Sequence, residues 1–330
     1  MRVLEAGDAV PDDFRGGVVA IGNFDGVHRG HQALLAVASA EARRARRPWG
    51  VLTFEPHPRT FFRPSEPLFR LSPPDLKSRL IAGLGADFLM TIPFDRALAA
   101  LEPDAFVTTR LLAPLAPSTV VTGYDFHFGH GRKGNPDTMR RLGAELGFAV
   151  SVVEQVTDES GLSPFSSSTI RGALRHGRVR EAADGLGYWW MLAGPPVRGD
   201  GRGRSLGFPT ANIVIDDGVD PKEGIYAVRV GIDRRWHDGV AYIGERPTFA
   251  TGRRFLEVFL FDFDRELYGV GLDVAFLDFI RPDRAFESTD ALVAQMRADC
   301  DQARTALAAI AADDPMRRHL LGRLQAEARL

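Results

Sequence analysis

The 330-residue sequence is short of cysteine and has no excess of charge of either sign. Its single cysteine, Cys300, excludes an intramolecular disulfide framework and a zinc site built from several cysteines. The 41 Lys and Arg residues nearly balance the 43 Asp and Glu residues, so no overall field attracts nucleic acid or anionic lipid. Any anion that the protein binds must therefore be held at a local site.

The sequence also lacks a long apolar run, an internal repeat and a low-complexity tract. No stretch approaches the roughly 20 apolar residues that span a bilayer, and residues 1–11 lack the apolar core of a signal peptide. We therefore expect a cytoplasmic protein that binds neither membrane nor nucleic acid; its oligomeric state is left open. A hydrophobic content of 45% is ordinary for a globular protein, and the length favours two domains.

The first half of the chain alternates short apolar runs with helical patterns, which predicts a doubly wound α/β domain with a parallel sheet. The predicted strands are 18–22, 50–54, 88–93, 118–123 and 149–153, and the predicted helices are 32–46, 74–84, 103–112, 137–146, 169–176 and 179–186. After Met191 the apolar runs become β-branched and aromatic, with turn residues and no helices between them. These runs, 225–232, 236–243, 255–263 and 272–279, predict an antiparallel barrel or sandwich.

The chain returns to helical spacing from Ser288 onward. The part after Arg304 has the pattern of an amphipathic helix, with Leu307, Ile310, Leu320 and Leu324 as its apolar residues. The predicted architecture is therefore an α/β domain at 1–187 followed by a small antiparallel β-barrel domain at 188–330 that ends in a helical extension.

The first candidate site is the segment GNFDGVHRGH, residues 22–31, between a predicted strand and a helix. A helix start offers free N–H groups and a positive dipole end, and ligands of open α/β sheets bind at the carboxyl ends of strands. His28 and His31 lie three residues apart and face the same side, where they can stabilise charge on a phosphoryl group. Alternatively, the two histidines only cap the helix. Zinc is less favoured because the sequence offers no convincing third ligand.

The second candidate site is the segment SLGFPTAN, residues 205–212. Glycines ahead of it permit close approach to phosphate, and Thr210 and Asn212 offer two oxygen ligands for a hard cation such as Mg²⁺. From spacing alone, an ordinary loop between strands explains this segment equally well.

The order of these and other motifs resembles the bacterial bifunctional riboflavin kinase/FAD synthetase family. The shared motifs are GNFDGVHRGH at 22–31, TFEPHP at 53–58, GYDFHFG at 123–129, SSSTIR at 166–171 and GFPTAN at 207–212, and the resemblance runs from about residue 18 to residue 304. It implies a Rossmann-like nucleotidyltransferase domain followed by a riboflavin kinase barrel.

For the first domain, the resemblance implies an ATP site for adenylyl transfer. His28 and His31 would line the transferred phosphate, and Ser167, Ser168 and Arg171 would hold the outer phosphates. The remaining residues assigned to ATP or its phosphates are Gly22, Asn23, Asp25, Gly30 and Asp125. Asn23 and Asp25 serve equally well as helix caps, and an isolated serine run is more often a plain helix cap.

For the second domain, the resemblance implies that Thr210 and Asn212 bind the Mg²⁺ of ATP and that Glu257 is the base toward the 5′-hydroxyl of riboflavin. Gly203 and Arg204 would contact phosphate. Glu257 could instead be an exposed residue of an alternating strand. The sequence departs from the family at Phe259, where histidine is usual, at Tyr242, where asparagine is usual, and at Ser168, which replaces threonine.

Together these motifs predict an enzyme that uses ATP twice, phosphorylating riboflavin to FMN and adenylylating FMN to FAD with release of pyrophosphate. Its partners would be riboflavin, FMN and ATP with Mg²⁺, without a permanently bound prosthetic group. Two alternatives remain open. In the first, which Phe259 and Tyr242 favour, the β half has decayed into a flavin-binding or regulatory module; in the second, the protein is a flavin carrier without ATP turnover.

Overall fold

The computed structural model describes residues 1–157, 161, 163–197, 203, 206–245, 254–267 and 269–330. The chain divides into two compact units. The first comprises Met1–Leu68 and Pro73–Ser166, and the second comprises Phe69–Ser72 and Ser167–Leu330.

The first unit is built on a six-stranded sheet in which every pair of neighbours is parallel. Its strands are β1 (Arg2–Glu5), β2 (Val18–Ile21), β3 (Trp49–Glu55), β4 (Phe88–Pro93), β5 (Thr119–Gly123) and β6 (Ala149–Val153), in the order β1-β4-β3-β2-β5-β6. The predicted parallel α/β sheet is thus confirmed. The first strand was not predicted because only Leu4 of its four residues is buried, which leaves no apolar run to read.

The helices of this unit are α1 (Arg29–Ala45), α2 (Pro58–Phe62), α3 (Pro74–Gly83), α4 (Arg96–Ala99), α5 (Pro103–Phe106), α6 (Ala113–Leu115) and α7 (Pro136–Leu146), with 3₁₀ turns at Asp12–Phe14 and His130–Arg132. The helix predicted at 103–112 is α-helical only in its first turn and continues as a π-helix over Val107–Leu112. The core lies against the sheet: all four residues of β2 are buried, and Phe88, Phe106 and Leu142 belong to the same apolar cluster.

The second unit begins with α8 (Ser167–Arg175) and α9 (Val179–Leu186) and continues as an antiparallel six-stranded sheet. Its strands are β7 (Met191–Gly194), β8 (Ala211–Val214), β9 (Gly224–Ile232), β10 (Arg235–Glu245), β11 (Arg254–Leu260) and β12 (Leu272–Arg281), in the order β7-β12-β9-β10-β11-β8. An isolated bridge joins Val197, just after β7, to Asn212 of β8 and nearly closes the sheet. Of the two predicted architectures, the barrel is therefore the one found.

The C-terminal segment consists of α10 (Thr289–Ala312), a 3₁₀ turn at Pro315–Arg318 and α11 (Leu320–Ala326). Leu307 and Ile310 are buried, as expected for an amphipathic helix. The expectation for Leu320 is wrong: its side chain is 43% exposed, and Leu321 is buried instead. The 3₁₀ turn interrupts the helix and shifts its phase, so spacing counted through the turn selects the wrong residue. Among the described helices, none is long and apolar enough to cross a membrane.

Candidate active sites

The first candidate site lies in the loop from β2 to α1. This loop turns through left-handed backbone at Phe24, Gly26 and Val27 and delivers His28 as the N-cap of α1. The Nδ1 atom of His28 accepts the backbone N–H of His31 at 3.3 Å. A nitrogen that accepts this bond carries no proton, so the neutral His28 ring has its proton on Nε2.

The two predicted histidines lie together. Their rings are stacked with centroids 3.6 Å apart, and the Phe24 ring meets the edge of His31 at 5.2 Å. Gly30 is needed for this packing, since a Cβ atom there would lie 3.1 Å from the His28 ring and 3.3 Å from the Phe165 carbonyl oxygen. The absence of a side chain at Gly30 thus leaves room for the His28 ring in its stacked position.

The electrostatics keep His31 neutral. Burial is the largest cause that holds the pKa of His31 well below its ordinary value of 6.5; the charge of Lys77, and the charge that His28 would carry if it were protonated, act in the same direction. Its Nδ1 atom is buried and has no hydrogen-bond partner among the described residues. A buried polar nitrogen without a protein partner is costly, and here it adjoins a helix start, where an anion is favoured.

The sheet topology brings the residues that follow β2 and the residues that follow β5 to the same edge of the first unit's sheet. The chain proceeds from β2 to β3 and β4 on one side, and then to β5 and β6 on the other. The carboxyl ends of β2 and β5 therefore flank the point where strand order reverses, which is where open α/β sheets bind ligands. Asp125 follows β5 and is exposed. Asn23 and Asp25 follow β2; the Asn23 carbonyl accepts the Thr53 hydroxyl at 3.3 Å, and Asp25 is buried.

Sequence reasoning missed an ion pair in this unit. Lys77 of α3 donates to Glu55 at the end of β3, with 2.7 Å between Nζ and Oε1, and both side chains are largely buried. Glu55 belongs to the motif TFEPHP, and Lys77 lies among the buried residues Leu76 and Leu80. A lysine on the apolar face of a helix was the available signal, since a buried lysine needs a charged partner.

The predicted phosphate ligands of the SSSTIR motif lie in α8. Ser167 is half-buried and Ser168 is exposed in its first turn. Arg171 is buried, and its Nε atom donates to the carbonyl oxygen of Phe69 at 2.6 Å. The Nε edge of this guanidinium is therefore held by the backbone.

In the second unit, three adjacent strands bring Asn212, Glu257 and Tyr242 into one row. Asn212 of β8 pairs directly with Glu257 of β11, and Glu257 pairs with Tyr242 of β10. Directly opposed residues of an antiparallel pair share a face, with Cβ atoms about 5 Å apart. Asn212 is 5% exposed and Glu257 is half-buried. The predicted metal ligand and the predicted base are thus neighbours in one cross-strand row.

The predicted ligand Thr210 ends a tight turn just before β8. The N–H groups of Leu206 and Phe208 donate to the Gly203 carbonyl at 3.1 and 2.8 Å. A Cβ atom on Gly203 would clash with the Phe208 carbonyl oxygen and lie 3.2 Å from Thr210 Oγ1, so the glycine lets this backbone lie against the hydroxyl. Arg204, the other phosphate residue predicted here, lies outside the described residues.

Two of the three residues that depart from the family pattern, Phe259 and Tyr242, make defined contacts in the barrel. The Phe259 ring meets the Phe208 ring edge-on at 5.2 Å and so fixes the turn against β11. The Tyr242 hydroxyl donates to Asp283 Oδ2 at 3.0 Å. Burial, followed by this bond and by the charges of Asp283, Glu223 and Glu257, raises the pKa of Tyr242 above its ordinary value, so the phenol is neutral.

Comparison with known proteins finds a different family model for each half of the chain. The family model described as FAD synthetase matches residues 10–168, and the one described as riboflavin kinase matches residues 186–307. The bifunctional riboflavin kinase/FMN adenylyltransferase of Escherichia coli K12 is 39% identical over 285 residues, covering 86% of this chain and 90% of that protein. This chain belongs to the bifunctional riboflavin kinase/FMN adenylyltransferase family. The Pseudomonas fluorescens member is also 39% identical, over 90% of this chain and 94% of its own.

A crystal structure from Streptococcus pneumoniae has the same fold over nearly the whole chain. It superposes with a TM-score of 0.81 at 31% identity, covering 92% of this chain and 99% of that one. That protein is named a macrolide-efflux protein. The family of the present chain is decided by its relatives and by the two family models, one for each half.

Proposed function

We propose that this chain converts riboflavin to FMN at the row of Asn212 and Glu257, and FMN to FAD at the histidine pair of His28 and His31. Family membership supports the two reactions, and two different chemical environments support their separation. The observation that carries the proposal is the direct pairing of Asn212 with Glu257 across β8 and β11, because it puts a hard-cation ligand beside a carboxylate.

At the first site, the chain stabilises charge and supplies no nucleophile. A phosphate oxygen of FMN forms a bond to the α-phosphorus of ATP while the bond from that phosphorus to the bridging oxygen breaks, and pyrophosphate leaves. His28, protonated on Nε2, and neutral His31 donate N–H groups to the phosphoryl oxygens on which charge develops. Neutral rings fit the stacking, since two imidazolium ions 3.6 Å apart would repel each other. Ser167, Ser168 and Arg171 keep their proposed role toward the outer phosphates, as do Gly22, Asn23, Asp25 and Asp125 toward ATP.

At the second site, the donor set suits Mg²⁺ bound with ATP. A threonine hydroxyl and a buried asparagine amide are oxygen ligands, and Mg²⁺ commonly takes one or two protein oxygens together with phosphate and water. Thr210 and Asn212 would hold it, and when bound it would neutralise charge on the phosphates. Glu257 accepts the proton of the riboflavin 5′-hydroxyl as that oxygen bonds to the γ-phosphorus and ADP leaves.

The functional division of the chain follows from these roles. We place the adenylyltransferase domain at 1–187 and the riboflavin kinase domain at 188–330. The boundary between the compact units lies elsewhere. It follows Ser166, so that by packing α8 and α9 belong to the second unit. The cytoplasmic location expected from the sequence stays a prediction.

Separate assays of the two reactions test the proposal. Purified protein is incubated with Mg²⁺-ATP and either riboflavin or FMN, and the flavins are separated by chromatography. Glu257→Gln should lower FMN formation at least a hundredfold, the range for removal of a general base, and leave FAD formation from added FMN unchanged. His31→Ala should do the reverse. Glu266→Gln, an exposed glutamate after β11, is the matched control.

The alternatives give different results in the same assays. If the β half has lost its activity, the wild-type protein converts FMN but not riboflavin. If the protein is a flavin carrier, it consumes no ATP with either flavin. Either result would reject the assignment of two activities, and full FMN formation by Glu257→Gln would reject Glu257 as the base.

A further inference from the structure

The row that holds Asn212 and Glu257 continues to a third side chain, Tyr242. Because Glu257 pairs with Asn212 on one side and with Tyr242 on the other, the three side chains share a face in the order Asn212, Glu257, Tyr242. Nothing in the two reactions described so far uses the tyrosine.

The structure holds the Tyr242 phenol in one position. Its hydroxyl donates to Asp283, and it lies over Gly244, two residues along β10, where a Cβ atom would clash with the hydroxyl oxygen. Asp283 follows the end of β12, where Arg281 makes two hydrogen bonds, of 2.8 and 2.7 Å, to buried Asp299 of α10. The segment that carries Asp283 is therefore anchored to the C-terminal helix through Arg281, and Asp283 in turn holds the phenol.

The chemistry of the fixed phenol suits an alcohol ligand. It is neutral, and its proton is directed to Asp283. The oxygen keeps lone pairs that can accept a hydrogen bond from a hydroxyl group, and the ring offers an apolar face beside it.

The order of the three side chains in the row indicates which of the two substrates lies near the phenol. A general base contacts the acceptor hydroxyl, while the metal ligand contacts the phosphate donor. With Asn212 on one side of Glu257, the acceptor lies toward the other side, which is that of Tyr242. We propose that Tyr242 binds the polyol chain of the acceptor alcohol and thereby selects riboflavin over flavins without that chain. This inference rests on the kinase assignment proposed above.

Steady-state kinetics of riboflavin phosphorylation test the inference. Tyr242→Phe removes the hydroxyl and keeps the ring. We expect it to raise the KM for riboflavin about tenfold, which corresponds to about 1.4 kcal/mol, with the KM for ATP unchanged. Lumiflavin, which has the flavin ring but no polyol chain, is the probe for ring binding, and its inhibition constant should stay within twofold. Asp283→Asn, which alters only the partner of the phenol, should raise the KM for riboflavin by a smaller factor.

The matched control is Tyr226→Phe, a buried tyrosine on β9 whose hydroxyl donates to the Lys222 carbonyl. It removes the same atom from the same barrel and should leave both KM values unchanged. An unchanged KM for riboflavin in Tyr242→Phe, or equal changes for riboflavin and lumiflavin, would overturn the polyol contact alone. Failure of the wild-type protein to form FMN would overturn the kinase assignment together with this inference.

Discussion

The clearest energetic prediction concerns Gln325, in the segment beyond the riboflavin kinase match. Its side-chain amide makes two hydrogen bonds with the backbone of Trp189: it accepts the N–H at 2.8 Å and donates to the carbonyl at 2.8 Å. Gln325 is 2% exposed and Trp189 is 4% exposed. The side-chain amide of Gln325 thus makes the two hydrogen bonds with the Trp189 backbone that a residue of a neighbouring strand would make.

Gln325→Ala would leave both backbone groups of Trp189 without a partner. An unsatisfied buried donor or acceptor costs about 1–3 kcal/mol, so we expect a loss of about 3 kcal/mol in the free energy of unfolding of the second unit. For a domain of 150–250 residues, this corresponds to a fall of about 6–12 °C in Tm. Calorimetry measures the change, and Trp fluorescence follows the same transition.

Gln302→Ala provides the matched control for this substitution. Gln302 lies on the exposed side of α10, so its replacement should change the free energy of unfolding by less than about 0.5 kcal/mol. A Tm for Gln325→Ala within 2 °C or so of that of Gln302→Ala would refute the reasoning.

Three further predictions concern Gly30, His31 and Cys300. Gly30→Ala should displace the His28 ring, because the new Cβ atom would lie 3.1 Å from it, and should lower adenylyl transfer about tenfold. His31 is neutral in the folded protein but takes up a proton below about pH 6.5 when unfolded, so its contribution to stability falls as pH falls. The loss of stability between pH 7 and pH 5 should therefore be smaller in His31→Gln, by up to about 2 kcal/mol. Burial raises the pKa of Cys300 to about 11, so its alkylation at pH 8 should be on the order of a hundredfold slower than in urea.

Each of these outcomes has a direct check. For Gly30→Ala, riboflavin phosphorylation on the same chain is the internal control, and equal loss of both activities would point to general misfolding instead. For His31, parallel stability curves of wild type and variant between pH 5 and pH 7 would contradict a depressed pKa. For Cys300, equal alkylation rates in buffer and in urea would contradict the raised pKa of its half-buried thiol.

The sequence predicted most of the fold because the strands of the first unit are nearly continuous apolar runs. The exceptions have local reasons. The four residues of β1 contain a single buried side chain, and the π-helix at Val107–Leu112 has no sequence pattern that distinguishes it from α-helix. Leu320 was assigned to the buried face by counting through a turn that breaks the helix.

The candidate sites were less completely predictable, because their geometry depends on contacts between distant segments. The motif residues His28 and His31 were found from their spacing, but their stacking and the close approach of the His28 ring to Gly30 could not be read from it. The pairing of Glu257 with Asn212 and Tyr242 depends on strand register; the hydrophobic pattern decides which face a side chain lies on, but it does not name the partner residues on the neighbouring strands. The partner of Lys77 was equally hidden, since Glu55 lies on another element.

The central claim is that one chain holds two separate sites that act in sequence, and mixing two variants tests it most directly. Glu257→Gln alone should form about a hundredfold less FAD from riboflavin, because it makes little FMN, and His31→Ala alone should accumulate FMN. An equimolar mixture, supplied with riboflavin and Mg²⁺-ATP, should form FAD because FMN made by one variant is adenylylated by the other. Absence of FAD from the mixture, or formation of FAD from riboflavin by either variant alone at the wild-type rate, would contradict the account.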